Sequence, residues 1–181
     1  MTLDSISREL VNGLPHSLRD PNSSDSAWTR AINDVLARLG LRKELFVCGH
    51  GCKNNSEWLL DVLWMRESDW SIVLAVESEW KGPGEVESDF LKLLSIKAPR
   101  KMMLFGTKDQ TAAIVKSLES LMSKYPYHIA GEEYLLIDVM NRGAARHSFT
   151  VPNDGLLKSV KFSETSTLNW PWTATTTAAS S

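Results

Sequence analysis

Cysteine is scarce in this chain. Of 181 residues only Cys48 and Cys52 are cysteines, and they sit together in Cys-Gly-His-Gly-Cys. Two thiols are too few to staple a fold. Cys48, His50 and Cys52 are three potential zinc ligands, but their spacing matches no common zinc site and no fourth ligand is evident. The segment reads as a strand ending in a Gly-rich turn with reduced thiols. Long apolar runs are also lacking, so no bilayer-spanning helix and no membrane partner are expected. The first ten residues, MTLDSISREL, hold acids and no apolar signal core, which points to a reducing, cytoplasmic location. Neither charge dominates: 20 Lys and Arg stand against 22 Asp and Glu, a net charge of −2. No global field draws the chain to nucleic acid, although a local basic patch is compatible with that balance. No internal repeat is found, which argues against a solenoid.

What is present suits one α/β domain: 43% hydrophobic and 23% charged residues give enough apolar surface for a core. A short helix is expected over residues 4–13, closed by Asn12-Gly13-Leu14-Pro15. A firmer one starts near Asp25, where Trp28, Ala31, Ile32, Val35, Leu36 and Leu39 form a stripe at helical spacing and Gly40 offers a stop. Strands are expected at Glu44–Cys48 and Glu57–Met65. After the break at Gly82-Pro83-Gly84, a helix fits Glu85–Lys97 and a strand Lys101–Phe105. Thr107 to Gln110 matches a capping box and opens a helix reaching Lys124. Glu133–Met140 is a further strand, and Arg146–Val151 an edge strand. Residues 1–162 are therefore taken as one domain. Residues 163–181, rich in Ser, Thr and Ala, are expected to be poorly ordered, with Trp170-Pro171-Trp172 as an anchor of unknown target. The order implies a mixed sheet flanked by helices on both faces.

The most informative stretch is Ser71–Gly82, SIVLAVESEWKG. Side chains on a strand alternate faces, so Val73, Ala75, Glu77, Glu79 and Lys81 share one face and Ile72, Leu74, Val76, Ser78 and Trp80 the other. Both faces are apolar at first, as in a central strand covered on both sides. Two carboxylates and an amine then emerge together. Charges in such a place are costly unless they pair or bind a metal, which marks a site.

Asp61 on one strand, followed by Glu79-Trp80-Lys81 at the end of the next, resembles the PD-(D/E)XK, or restriction-endonuclease-like, nuclease superfamily. The resemblance spans about Asp25 to Met140. It implies a restriction-endonuclease-like mixed sheet and a Mg²⁺- or Mn²⁺-dependent nuclease that hydrolyses phosphodiester bonds, with DNA ahead of RNA as partner. Asp61 and Glu79 would hold the metal, helped by the Trp80 backbone carbonyl, with Glu77 as an alternative ligand. Lys81 would orient or help deprotonate the attacking water. A homodimer is implied as the way small members cut two strands, although no residue marks an interface. The alternative is an inactive nuclease-like domain that binds nucleic acid or protein; a third is an unrelated α/β protein whose strand-end charges only form ion pairs.

The match is incomplete. Leu60 stands where the name-giving motif has proline. The third acid that many members take from the first core helix has only Asp34 or the more distant Glu9 as candidates, and Glu57 shares a face with Asp61. Some relatives carry the lysine on the following helix, where Lys92 stands, but Glu87, Asp89 and Lys92 read as a solvated face with Phe90 and Leu93 inward. Trp58, Trp64, Trp70 and Trp80 read as packing residues rather than base-stacking ones. Lys97, Arg100 and Lys101 are open to two readings, phosphate contacts or charge at a helix C-terminus. His128 and His147 support no catalytic triad.

Overall fold

The computed structural model describes residues 1–20, 22–49, 59–106, 110–140, 143–155, 157 and 159–172. His50, Cys52, Lys53, Glu57, Trp58 and the Thr107–Asp109 part of the expected capping box lie outside these residues. The described helices are α1 (Leu3–Gly13), α2 (Asp25–Arg42), α3 (Pro83–Ser95) and α4 (Thr111–Lys124), with a 3₁₀ turn at His16–Arg19. The strands are β1 (Phe46–Gly49), β2 (Val62–Met65), β3 (Ile72–Glu79), β4 (Arg100–Phe105), β5 (Glu133–Met140), β6 (Gly143–Thr150) and β7 (Ser163–Asn169). They form one sheet in chain order. β3, β4 and β5 run parallel, joined through α3 and α4, and the remaining neighbours pair antiparallel. The expected class, a mixed sheet with helices on both faces, is what forms. Among the described residues no helix is long and apolar enough to cross a membrane.

Strand alternation sorts the core into two layers. Val62, Trp64, Leu74, Val76 and Met102 pack with Ile6, Leu10, Ile32 and Leu36 under α1 and α2. Leu63, Ala75, Met103, Phe105 and Leu136 pack with Phe90, Leu93, Leu118 and Met122 under α3 and α4. Trp64 is fully buried and its Nε1–H donates to the Leu36 carbonyl at 3.2 Å, so its indole has a packing role with its one donor satisfied. Gly40 does not stop α2, which runs on to Arg42. A Cβ there would stand 2.5 Å from Val47 Cγ2 and 2.8 Å from Trp64 Nε1. The glycine instead lets the helix lie close against β1 and β2.

The C-terminal part departs from expectation. β6 is not an edge strand: β7 pairs with it along Ser163–Asn169, so those residues form a strand despite their polar composition. The backbone ladder needs no apolar side chains, and one buried arginine secures it. Arg146, 1% exposed, donates to the Ser166 carbonyl from Nε and Nη2, and from Nη1 to Ser7 Oγ and Asp4 Oδ1. Asp4 is held below the usual carboxylate range by its hydrogen bonds to Arg8 and Arg146. One guanidinium thus ties α1, β6 and β7 together. Beyond β7, Trp170 and Trp172 are buried. Trp170 stacks on Trp172 at 5.6 Å and lies 5.5 Å from Trp28, while Trp172 lies 5.8 Å from His16. The target of the Trp-Pro-Trp anchor is therefore the start of α2 together with the 3₁₀ turn before it. Residues 173–181 lie outside the described ones.

Candidate functional site

Three parallel strands bring their carboxyl ends to one end of the sheet, where open α/β sheets commonly bind ligands. β3 ends there in Glu77-Ser78-Glu79. β2 begins at Val62, later than the alternation predicts, so Asp61 stands at its threshold. The register pairs Val62 with Val76, and one more step along the two strands sets Asp61 opposite Glu77. The two are joined directly: the Asp61 N–H reaches Glu77 Oε2 at 3.4 Å. Asp61 Oδ2 in turn accepts from the Ser78 N–H at 2.8 Å and the Ser78 hydroxyl at 2.6 Å. Ser78 therefore fixes the Asp61 carboxylate against β3.

Glu77 is a buried carboxylate whose surroundings disfavour its charge. It is 3% exposed, and its Oε1 is buried with no hydrogen-bond partner. A cation does approach that oxygen: Lys92 Nζ lies 3.3 Å from it and 2.6 Å from Asp89 Oδ1. Burial pushes the Glu77 carboxyl up to about 8; the Asp61 carboxylate pushes the same way, and Lys92 opposes them. Burial also works against the Lys92 ammonium, but its bonds to Asp89 and Glu77 outweigh this and hold its pKa above the ordinary lysine value. The solvated-face reading of Asp89 and Lys92 is thus corrected. α3 packs directly on β3, and a buried carboxylate in that layer draws in the one lysine of the facing helix turn. The available signal was Glu77 itself, an acid placed on a strand face otherwise made of core residues.

The residues selected by motif spacing are placed differently. Glu79 is half-buried and turned back on its own chain: Oε1 accepts the N–H groups of Trp80 and Lys81, each at 2.7 Å. Lys81 is exposed. Trp80 points to the opposite layer, where Nε1–H donates to Thr29 Oγ1 at 2.8 Å and the ring lies 6.0 Å from Trp28. The structure brings the Lys92 ammonium and the Asp61 N–H to Glu77, while Glu79 accepts from the next two amides of its own chain and Lys81 is exposed. Of the acids considered from the helices, Asp34 is exposed and Glu9 pairs with Arg42 and Lys43 at 3.3 Å. The phosphate-contact reading of Lys97, Arg100 and Lys101 does not hold for Lys101, which is 1% exposed and bonded to Glu132. Arg100 lies 3.7 Å from Glu133. Both sit at the amino end of β4, away from Glu77, because a parallel strand carries its two ends to opposite edges of the sheet.

The donor set suits a hard divalent cation. The Asp61 backbone N–H and the Lys92 ammonium converge on the Glu77 carboxylate, with the Asp61 carboxylate close enough to act on its charge, and Mg²⁺ is commonly held by one or two carboxylates with water completing the shell. Among the described residues no group of three or more His, Cys, Asp and Glu is gathered in metal-binding reach. The backbone at Asp61 is held close by its neighbour: a Cβ on Gly49 would stand 2.5 Å from the Asp61 carbonyl oxygen. Gly49→Ala is therefore expected to force β1 and the Asp61 segment apart and cost about 1–3 kcal/mol, read as a lower denaturant midpoint at unchanged slope.

No protein-family model and no curated protein matches this chain. Among solved structures, the YaeQ protein from Xanthomonas axonopodis pv. citri is similar over 72% of this chain and 75% of its own, at 11% identity and a TM-score of 0.35. A likeness of that degree assigns no family.

Proposed function

We propose that the protein is a divalent-metal-dependent nuclease of the PD-(D/E)XK type, acting on DNA in preference to RNA. In this reading Asp61 and Glu77 hold the metal, and Lys92, rather than Lys81, supplies the amine. The observation that supports it is the buried Glu77 carboxylate, opposite Asp61 and, among the described residues, met at Oε1 by the Lys92 ammonium alone. A cost of that kind persists in a core where the group has work to do. When bound, Mg²⁺ or Mn²⁺ would activate water and stabilise charge on the phosphate oxygens. Ser78 holds Asp61 in place through two hydrogen bonds. Asp89 holds Lys92 on the Glu77 side of α3, where its ammonium is available to a phosphate oxygen or to the attacking water.

The test is cleavage of labelled single- and double-stranded DNA and RNA with Mg²⁺, with Mn²⁺ and with EDTA. Asp61→Asn and Lys92→Ala should each lower the rate by about a hundredfold or more, and only Asp61→Asn should also lose Mn²⁺ binding. Lys81→Ala should change the rate by less than about threefold, since its side chain is exposed. Full activity in Lys92→Ala with loss in Lys81→Ala would return the catalytic role to Glu79 and Lys81. Absence of any metal-dependent cleavage, together with metal-independent binding of nucleic acid, would favour the inactive binding domain, a reading consistent with a donor set of only two carboxylates.

A further inference from the structure

A second feature lies on the same face and at the same end of the sheet. Between α4, the ends of β5 and β6, and the segment entering β7 is an open groove of about 870 Å³, within the size range of small-molecule sites. Its walls are mainly apolar, from Val115, Ala145 and Phe162. His147 also lines it, and the His147 Nε2 is buried without a hydrogen-bond partner. Lys116 and Lys161 stand exposed at the rim, and among the described residues neither pairs with a carboxylate. The groove also holds three acids. Two are already engaged, Asp138 by the Thr111 hydroxyl and Glu119 by the Phe162 N–H at 2.8 Å. Glu164 is exposed on the edge strand.

We propose that this groove takes one unpaired nucleotide of the substrate strand, which makes single-stranded or locally opened nucleic acid the substrate class. The proposal rests on the nuclease reading and deepens it. Apolar walls suit the flat face of a base, and a buried imidazole nitrogen with no partner suits a hydrogen bond to the base edge. Two unpaired ammoniums at the mouth suit the flanking phosphates. The register runs from Glu77 through Met103 and Leu136 to His147. That is three strand spacings, about 14 Å, within reach of a short oligonucleotide whose next phosphates lie over Asp61 and Glu77.

The test uses a fluorescein-labelled oligothymidylate and a duplex of the same length, titrated against the full chain in EDTA. Ala112→Trp places an indole from an exposed position on α4 into the groove, and Lys161→Glu reverses one rim charge; melting curves confirm that each variant folds. Single-strand affinity is expected to fall about tenfold in each variant. The duplex should bind more weakly than the single strand. Unchanged affinity in both folded variants, or equal affinity for duplex and single strand, overturns the groove assignment. Cleavage that persists with no groove effect sinks this inference alone. Groove-dependent binding with no metal-dependent cleavage sinks the nuclease reading and leaves the nucleotide site.

Discussion

Glu77→Gln is expected to raise the melting temperature at pH 8.5 by on the order of 10 °C in the presence of EDTA, and to abolish stabilisation by Mn²⁺. The Glu77 carboxyl is displaced upward from an ordinary 4.5 to about 8, by burial first and by Asp61 second. The folded protein therefore holds this proton more tightly than the unfolded chain does. Stability from that proton is fully present below about pH 4.5 and is lost as pH rises through about 8. Each unit of displacement is worth about 1.4 kcal/mol, so the loss is on the order of 5 kcal/mol. For a chain of this size that corresponds to roughly 10 °C. Glutamine copies the protonated shape and cannot ionise, so the variant escapes the loss. Melting curves from pH 5 to 9 should show the two proteins converging at the acid end and separating toward alkali. A gap that does not change with pH would contradict the assignment. In the proposed metal-site reading Mn²⁺ would bind the ionised carboxylate, so it should stabilise the parent protein increasingly up to about pH 8 and leave the variant unmoved.

Separating the Lys101–Glu132 pair is expected to be the most destabilising single change. Lys101 is 1% exposed and Glu132 3% exposed. Lys101 Nζ donates to Glu132 Oε1 and to the Tyr134 hydroxyl, each at 3.0 Å, and the Tyr134 hydroxyl donates to Glu132 Oε2 at 2.9 Å. Burial lowers the Lys101 pKa against the pull of Glu132 and raises that of Tyr134. Lys101→Met leaves a buried carboxylate without its cation, and Glu132→Gln leaves a buried ammonium without its anion. Each should cost about 3–5 kcal/mol. The double variant removes both charges and keeps an amide oxygen for Tyr134. It should recover most of the loss, because the isolated charge and not the absent ion pair is the expensive state. Urea unfolding of the four proteins gives the coupling directly. Additive losses in the double variant would show that the two groups do not depend on one another.

Local chemistry made much of the fold legible. Helical spacing marks α2 from Trp28 to Leu39, and the apolar run from Ile72 to Val76 marks a strand covered on both faces. The β7 strand was not legible: Ser163-Glu-Thr-Ser-Thr has no apolar alternation, and its order comes from a backbone ladder and from Arg146, a residue of another strand. The same holds for Lys101, whose neighbours in the chain suggest a surface cation and whose neighbours in space are Glu132 and Tyr134.

By itself, the sequence determined that charge gathers where the central strand leaves the core, because side-chain alternation is a property of consecutive residues. Which of those charges work together was decided only by the tertiary structure. Pairing of β2 with β3 sets Asp61 across from Glu77, and the docking of α3 delivers Lys92 to the same point, while Glu79 satisfies itself on the next two amides. Motif spacing counts positions along the chain. Burial and counter-charge, which set the energy of a carboxylate, come from strands and helices that the chain reaches only by folding.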